Sequence, residues 1–172
     1  MRCYDETSRA TDDRPQARAL LTLERTIQDD WLDYNGHATE WQYYKLLSDA
    51  MENFLRAVGF TEEYRGEGYS FFAVEGHLRN VRECRAESPL RVFSEMLGFD
   101  RVRLHVFQYI VDASRDIVVA TGEHLLLHVD TRERRAVSLT PYMKDRLSAA
   151  SLQCPALIRP RGMSRAIEEV EK

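Results

Sequence analysis

The chain has 172 residues, of which 44% are hydrophobic and 30% are charged, and its formal net charge at pH 7 is −4. A chain of this size and composition corresponds to one globular domain with a substantial core, and it excludes two large domains. The longest wholly apolar runs, such as residues 117–120 and 125–127, are far shorter than the roughly 20 residues of a membrane span. We therefore expect no membrane span and no membrane partner.

The cysteines and the charge distribution narrow the class further. Cys3, Cys84 and Cys154 are odd in number and contain no Cys-x-x-Cys pair, so neither a disulfide framework nor a thiolate metal site is expected. The arginines are scattered and the net charge is negative, which argues against a nucleic-acid partner. Acidic residues stand near the N-terminus, where a signal peptide needs an apolar run, and this favours a cytoplasmic location.

The first predicted elements are a leader and a strand. Residues 1–17 are polar and aperiodic, which predicts a flexible leader. Residues 18–29 alternate in polarity and predict a strand. One side of this strand would carry Leu21, Leu23 and Ile27.

A long helix should follow a loop at residues 30–38. Thr39, followed three residues later by Gln42, has the form of a capping box, so the helix should begin there. Gly59 tolerates the positive φ of a helix stop, which places the end of the helix near that residue. Apolar residues at three- and four-residue steps predict one buried stripe, formed by Tyr43, Leu47, Ala50, Met51, Phe54 and Val58.

After a Gly-rich connection at residues 65–68, the pattern changes to a period of two. The runs predict strands at residues 69–84, 90–99, 102–111 and 117–129. Thr140 followed by Pro141 predicts a short helix over 141–150, and a tail should occupy 153–172. The domain therefore spans 18–152, and its class is α+β, with one antiparallel sheet wrapped around one long central helix.

The segment at residues 31–44 carries the densest chemistry. It holds five aromatic residues, including both tryptophans, with Asp33 and His37 just before the predicted helix. A helix start offers free N–H groups and a positive dipole end that can polarise a carbonyl, and a carboxylate beside it can attack that carbonyl or activate water. A capped helix whose aromatic residues fill the core would contain the same residues. The chemistry of the segment alone therefore leaves the function open.

The motif Asp33-x-x-Gly36-His37 with Tyr43 at the mouth of a long helix resembles the hotdog-fold acyl-CoA thioesterases of the 4-hydroxybenzoyl-CoA thioesterase type. The resemblance covers about residues 20–130. The segments that look specifically like the betainyl-CoA thioesterases of carnitine breakdown are 31–37, 75–78, 100–105 and 125–130. This resemblance implies a hotdog fold, an acyl-CoA substrate and no cofactor.

The resemblance also implies roles for individual residues. Asp33 takes the position of the catalytic carboxylate, and the backbone amides around Gly36, His37 and Ala38 would bind the thioester oxygen. Many relatives carry asparagine shortly after the histidine, where this chain has Thr39 and Glu40. Glu40 places a second acid near the site and leaves open whether Asp33 is the only carboxylate involved, although acids also suit the first turn of a helix.

A cationic acyl group would need aromatic faces and carboxylates around it. A trimethylammonium group donates no hydrogen bonds, so the predicted cage draws on the aromatic residues of 31–44, of which one of the neighbours Tyr43 and Tyr44 belongs to the core. Glu75 and His77 share one strand face and either frame the same pocket or form an ordinary strand surface. The residues assigned to substrate binding are Trp31, Tyr34, Asn35, Thr39, Glu40, Trp41, Tyr43, Glu75 and His77.

Two further groups of side chains are candidates for binding CoA or a metal ion. Arg101 and Arg103 are assigned to the phosphates of CoA, with Arg79 and Arg82 as further candidates, although such arginines are often simply solvated. His124 and His128 lie on a predicted strand about 13 Å apart, too far to share a metal ion. We therefore expect no metal site.

Two other functions remain open from the sequence. A dehydratase-like hotdog enzyme would use an acid and a histidine to move protons on an acyl thioester, and a non-catalytic acyl-CoA-binding domain would share the fold. Because an open sheet edge usually pairs with a second copy, we expect a homodimer or homotetramer, with sites at the subunit interface as the resemblance implies.

Overall fold

The computed structural model describes residue 15 and residues 19–152. Its helices and strands are β1 (Leu20–Thr26), α1 (Glu40–Ala57), α2 (Glu62–Gly66), β2 (Tyr69–Asn80), β3 (Pro89–Phe99), β4 (Arg103–Asp112), β5 (Ile117–Asp130), β6 (Arg135–Ala136) and α3 (Pro141–Leu152). The predicted leader at 1–17, residue 15 apart, and the predicted tail at 153–172 lie outside the described residues.

The strands form a single antiparallel sheet with α1 on one face. The strand order is β1-β3-β4-β5-β2, and the short β6 pairs with β5. Helix and sheet approach closely, because a Cβ built on Gly122 of β5 would stand 2.5 Å from Leu47 Cδ1 of α1. This architecture confirms the predicted α+β class, with the sheet around one long helix.

The sequence pattern of α1 predicts its buried face correctly. Every member of the predicted stripe, from Tyr43 to Val58, is buried. The helix ends at Ala57, and Gly59 follows with φ +106°, a conformation that favours glycine. The predicted stop at Gly59 is therefore confirmed.

The two outer strands of the sheet depart from the predicted alternation and length. In β1 the pairing shifts between Leu21 and Leu23, so that Thr22 and Leu23 are both buried while Leu21 is 49% exposed. The expectation that Leu21 shares a side with Leu23 is therefore wrong. β2 ends at Asn80 rather than at residue 84, since the next two amides both donate to the carbonyl of Val119 and break the ladder.

The short helix α2 was not predicted and replaces part of the expected connection at 65–68. The Thr61 hydroxyl accepts a hydrogen bond from the Tyr64 amide at 3.3 Å and caps this helix. Tyr64 is buried, and its hydroxyl lies 2.8 Å from Nε2 of His128 on β5. No helix in the described part of the chain is long and apolar enough to cross a membrane.

The two ends of the sheet carry different loops. Thr26 pairs with Pro89, so the loop from β1 to α1 lies at the end where β3 begins. The end of β2 lies at this same end, because Ala38 of the loop donates a hydrogen bond to the Cys84 carbonyl at 2.8 Å. The β3–β4 turn at residues 100–102 lies at the opposite end.

Candidate active site at the start of the long helix

The loop before α1 folds into a tight turn around Asp33. Its backbone amide donates to the His37 carbonyl at 2.8 Å, and its carbonyl accepts from the Gly36 amide at 3.0 Å. Gly36 has φ +74°, which the turn requires and which side chains rarely adopt. The turn therefore fixes the Asp33 carboxylate just before the helix start.

The two oxygens of the Asp33 carboxylate have different surroundings. Oδ1 accepts hydrogen bonds from the amides of Asn35 at 2.8 Å and His37 at 3.1 Å, whereas Oδ2 accepts only a long 3.3 Å bond from Asn35 Nδ2. The hydrogen bond from the His37 amide is the main cause that holds the pKa of Asp33 below its usual value of 3.8. Asp33 is thus ionised at neutral pH, and Oδ2 is the oxygen with free acceptor capacity.

The amides predicted to bind a thioester oxygen are all engaged in other hydrogen bonds. Gly36 donates to the Asp33 carbonyl, His37 to Asp33 Oδ1, and Ala38 to the Cys84 carbonyl. The assignment to residues 36–38 is therefore corrected, because the turn that holds Asp33 consumes these N–H groups.

The free amides belong instead to the first two residues of α1. The N–H groups of Glu40 and Trp41 have no acceptor among the described residues, as expected for a helix N-terminus. Thr39 stands at the cap position, but its hydroxyl donates to the Trp31 carbonyl at 3.1 Å and accepts nothing from the helix. The predicted capping box is therefore wrong in its hydrogen bonds, and it leaves these two amides open to a ligand.

An open cavity of about 320 Å³ lies beside these groups. Its lining comprises Asp33, Asn35, His37, Ala38, Glu40, Tyr43, Asn80, Val81, Arg82 and Glu83. Six of these were predicted site residues, and they all come from the segment at 31–44. Asn80, Val81 and Glu83 were missed because they were read as strand, although the polar run at 79–85 is atypical of a half-buried strand.

The charges of this cavity are mostly negative. Asp33, Glu40 and Glu83 contribute three carboxylates, against the single guanidinium of Arg82. Glu83 Oε2 lies 3.2 Å from Nε2 of His37, so an acid–imidazole pair stands on the cavity wall beside Asp33. The cavity can therefore accommodate a positively charged group next to an ionised carboxylate.

Of the aromatic residues considered for the predicted cage, Tyr43 alone lines this cavity. Tyr43 is buried in the core at 4% exposure, Tyr34 points to solvent at 97%, and Trp41 is 59% exposed. Trp31 packs against the core cluster around α1. Tyr43 is thus the one of the two neighbouring tyrosines that belongs to the core, as the 100° step between helical neighbours predicts.

Glu75 and His77 share one face of β2 as predicted, but this face does not border the cavity. Their side chains pair with each other, with His77 Nε2 2.8 Å from Glu75 Oε1. Gly76 between them faces α1, where a Cβ would meet Tyr44, so its two neighbours point to the opposite side of the sheet. Within one chain they therefore frame no common pocket with Asp33.

Arg101 and Arg103 lie at the far end of the sheet. Arg103 pairs with Leu127 on β5, whereas Asn80 of the cavity pairs with Ala120, so about 23 Å separates them along the strands. Arg103 is bound to Asp100 and Arg101 to Ser138. Within one chain these arginines do not reach the cavity, whereas Arg82 lines it.

Metal-ligating residues do not cluster in residues 19–152, where no group of three or more His, Cys, Asp or Glu side chains converges on one point. Cys84 is free and buried. The groups at the cavity are thus a carboxylate, free amides and an acid–imidazole pair, which suit the chemistry of a carbonyl compound.

Comparison with known proteins places this geometry in a family. The profile of the Thioesterase-like superfamily matches residues 27–147. The L-carnitine dehydrogenase/betainyl-CoA thioesterase of Agrobacterium fabrum is 38% identical over 145 residues, which are 84% of this chain and 30% of that protein. The chain thus spans about 30% of the length of the first curated relatives it matches.

Two further relatives match over nearly their whole length. The betainyl-CoA thioesterase of Pseudomonas aeruginosa is 29% identical over 88% of this chain and 96% of its own. The crystal structure of a candidate thioesterase from Pseudomonas putida KT2440 has a TM-score of 0.73 and 31% identity over 89% of this chain and 98% of its own. The sheet wrapped around α1 is thus the predicted hotdog fold, and the chain belongs to the thioesterase-like superfamily.

Proposed function

We propose that this protein is an acyl-CoA thioesterase that hydrolyses betainyl-CoA to glycine betaine and CoA. The observation that carries the proposal is that the Asp33 carboxylate and Glu40, whose backbone amide is free, line one cavity. The names of the Agrobacterium and Pseudomonas aeruginosa relatives support the same reaction and the same acyl group. Thioester hydrolysis needs water and a base or nucleophile, so no cofactor is required.

The reaction places the thioester carbonyl between these two groups. The amides of Glu40 and Trp41 donate to the carbonyl oxygen as negative charge develops on it, and the helix dipole acts in the same direction. Oδ2 of Asp33 then attacks the carbonyl carbon, the C–S bond breaks, CoA leaves as a thiolate, and water hydrolyses the resulting anhydride. In the alternative route, the same oxygen removes a proton from a water molecule that attacks the carbonyl carbon.

The charge of the cavity supports a cationic acyl group. Betainyl-CoA carries a permanent positive charge two bonds from the carbonyl carbon, and three carboxylates line the cavity against one guanidinium. Among the three, Glu40 and Glu83 are the acids that the proposed chemistry leaves free to attract this charge. We therefore assign the recognition of this charge to these two carboxylates.

The neutral isostere of the substrate tests this part of the proposal. In 3,3-dimethylbutanoyl-CoA a tert-butyl group replaces the trimethylammonium group at nearly constant shape. We expect its kcat/KM, measured by thiol release, to be about tenfold below that of betainyl-CoA, the size expected for losing one partly exposed charge interaction. Equal hydrolysis of the two substrates would contradict the betaine assignment and leave a general thioesterase.

The same assay separates the competing functions. Tight binding of acyl-CoA without any thiol release would identify a binding domain. Addition or loss of water on the acyl chain, detected by mass spectrometry with the thioester intact, would identify a dehydratase-like enzyme.

We further propose that the protein acts as a homodimer or homotetramer that pairs through β2. This strand is an edge of the sheet over its 12 residues, and Phe72 and Val74 on it are half exposed. Backbone N–H and C=O groups at such an edge can pair with another strand, and a second copy of the chain would supply that strand. A monomer in sedimentation velocity at micromolar concentration would contradict this assembly.

A further inference from the structure

Tyr44 joins α1 to the edge strand in an unusually close contact. A Cβ built on Gly76 would stand 2.5 Å from the Tyr44 hydroxyl, so the phenol lies directly on the β2 backbone and a larger residue there would displace it. The Tyr44 ring also meets His124 of β5 edge-on, with ring centroids 5.7 Å apart. The side chain is 40% exposed, so it closes the space between helix and strand from the outside.

This contact lies next to the cavity at Asp33. Tyr44 follows Glu40 by four residues and therefore shares its face of α1. Gly76 precedes Asn80 by four residues and shares its face of β2. Glu40 and Asn80 both line the cavity, so the Tyr44–Gly76 contact closes the groove between α1 and β2 one helical turn beyond that lining.

Two side chains fill the space between helix and sheet near the cavity. Tyr43 is buried on the inner side, and Leu47 fills the space over Gly122 so closely that a Cβ there would be 2.5 Å from it. An acyl chain that is bound with its carbonyl at Glu40 and extends between α1 and β2 meets Tyr44. About one helical turn, roughly 5.4 Å, separates Glu40 from Tyr44 along the helix axis.

We propose that Tyr44, seated on Gly76, sets the maximum length of the acyl group by closing the groove one helical turn beyond the carbonyl site. This inference rests on the proposed acyl-CoA substrate and specifies its class, a short acyl group with a chain about four or five atoms long. Tyr44 thereby acts as a specificity determinant and takes no part in the chemical steps.

The test uses a series of straight-chain acyl-CoAs from two to ten carbons. For the wild type, kcat/KM should fall by about tenfold or more beyond five or six carbons, since each methylene without space costs at least that order. Tyr44→Ala should extend the limit by at least two carbons, and Tyr44→Phe should keep the wild-type length profile because the ring does the closing. Lys45→Ala is the matched control, since Lys45 is an exposed neighbour that pairs with Asp49 at 2.6 Å.

A second variant keeps the inference testable if Tyr44→Ala folds poorly. Gly76→Ala adds a Cβ against the phenol hydroxyl and should shorten the accepted chain, and combining it with Tyr44→Phe should restore part of the lost length. An unchanged length profile in both folded Tyr44→Ala and Gly76→Ala would overturn the inference. A wild type that hydrolyses ten-carbon chains as well as four-carbon chains would overturn it as well.

Binding separates this inference from the proposed function. Non-hydrolysable thioether analogues of the same chain lengths, titrated by calorimetry, report the length limit without turnover. A limit in binding that moves with Tyr44→Ala, without thiol release from any acyl-CoA, would support the length limit and contradict the hydrolase. Thiol release without any length limit would support the hydrolase and contradict the length limit.

Discussion

Replacing Glu40 by proline removes one backbone N–H at the start of α1 and changes little else. Glu40 is the first residue of the helix, the position where proline is most readily accepted, because the missing N–H has no helical acceptor there. Thr39 already has φ −66° and ψ 148°, the extended conformation that a residue before proline requires. The variant therefore tests the amide while preserving the fold.

The size of the effect follows from the role of the amide. Loss of one preorganised donor to a developing oxyanion lowers kcat by about 100- to 1,000-fold, equivalent to about 3–4 kcal/mol. Glu40→Gln keeps the amide and loses only the carboxylate, so it should mainly raise KM for the cationic substrate. The informative quantity is thus the ratio of kcat between Glu40→Pro and Glu40→Gln, measured by thiol release from betainyl-CoA.

Equal kcat values for Glu40→Pro and Glu40→Gln would refute this assignment of the oxyanion site. Unfolding by urea provides the control, since both variants should unfold within about 1 kcal/mol of each other if proline is accepted at this position. We expect Glu40→Pro to combine a low kcat with normal stability.

Substitutions at three further positions test the geometry of the structure. Gly36→Ala should lower the free energy of unfolding in urea by about 1–2 kcal/mol because φ is +74°, and not through a clash, since no atom lies within 4 Å of the added Cβ. Gly36→Asn should lower it less, and equal stability of the wild type and both variants would contradict the strained turn. Burial lowers the pKa of His124 to about 4. As the pH falls from 6.5 towards 4, only the unfolded chain takes up this proton, so the wild type should lose up to about 3 kcal/mol of folding stability that His124→Gln does not lose. Parallel losses of stability in the two proteins would contradict this expectation. Glu83→Gln should change stability by less than about 1 kcal/mol, because Glu83 is largely exposed in its pair with His37, and a larger loss by thermal or urea unfolding would point to a structural role.

The long helix and the motif at 31–44 could be predicted from the sequence because their signals are local. A stripe with a period of 3.6 and a glycine stop specify α1 without reference to the rest of the chain. The carboxylate before the helix and the five other predicted residues that line the cavity with it also lie within a dozen positions of one another. Local spacing therefore sufficed to bring six predicted residues to one place.

The parts that could not be predicted depend on pairing between distant segments. Residues 80–83 join the cavity because β2 stops early, and this stop arises from two amides that share the Val119 carbonyl. Arg101 and Arg103 lie far from Asp33 because the strand order places the β3–β4 turn at the other end of the sheet. Neither relation has a signature in the spacing of the residues themselves.

The assignment of the amides failed for a different reason. The motif indicated N–H groups near the helix start as donors to a ligand, but it did not reveal which of them are already bonded within the turn. Gly36, His37 and Ala38 donate to the turn and to Cys84, and the free donors begin at Glu40. Which amides are already engaged in hydrogen bonds can be determined only from a structure.

Asp33→Asn in the presence of betainyl-CoA tests the central claim most directly. Asparagine can keep an oxygen for the amides of Asn35 and His37 while the negative charge is lost. The kcat for thiol release should fall by about 100-fold or more, while the free energy of unfolding in urea should change little. Turnover of Asp33→Asn close to that of the wild type would contradict the role of this carboxylate and transfer it to another acid of the cavity.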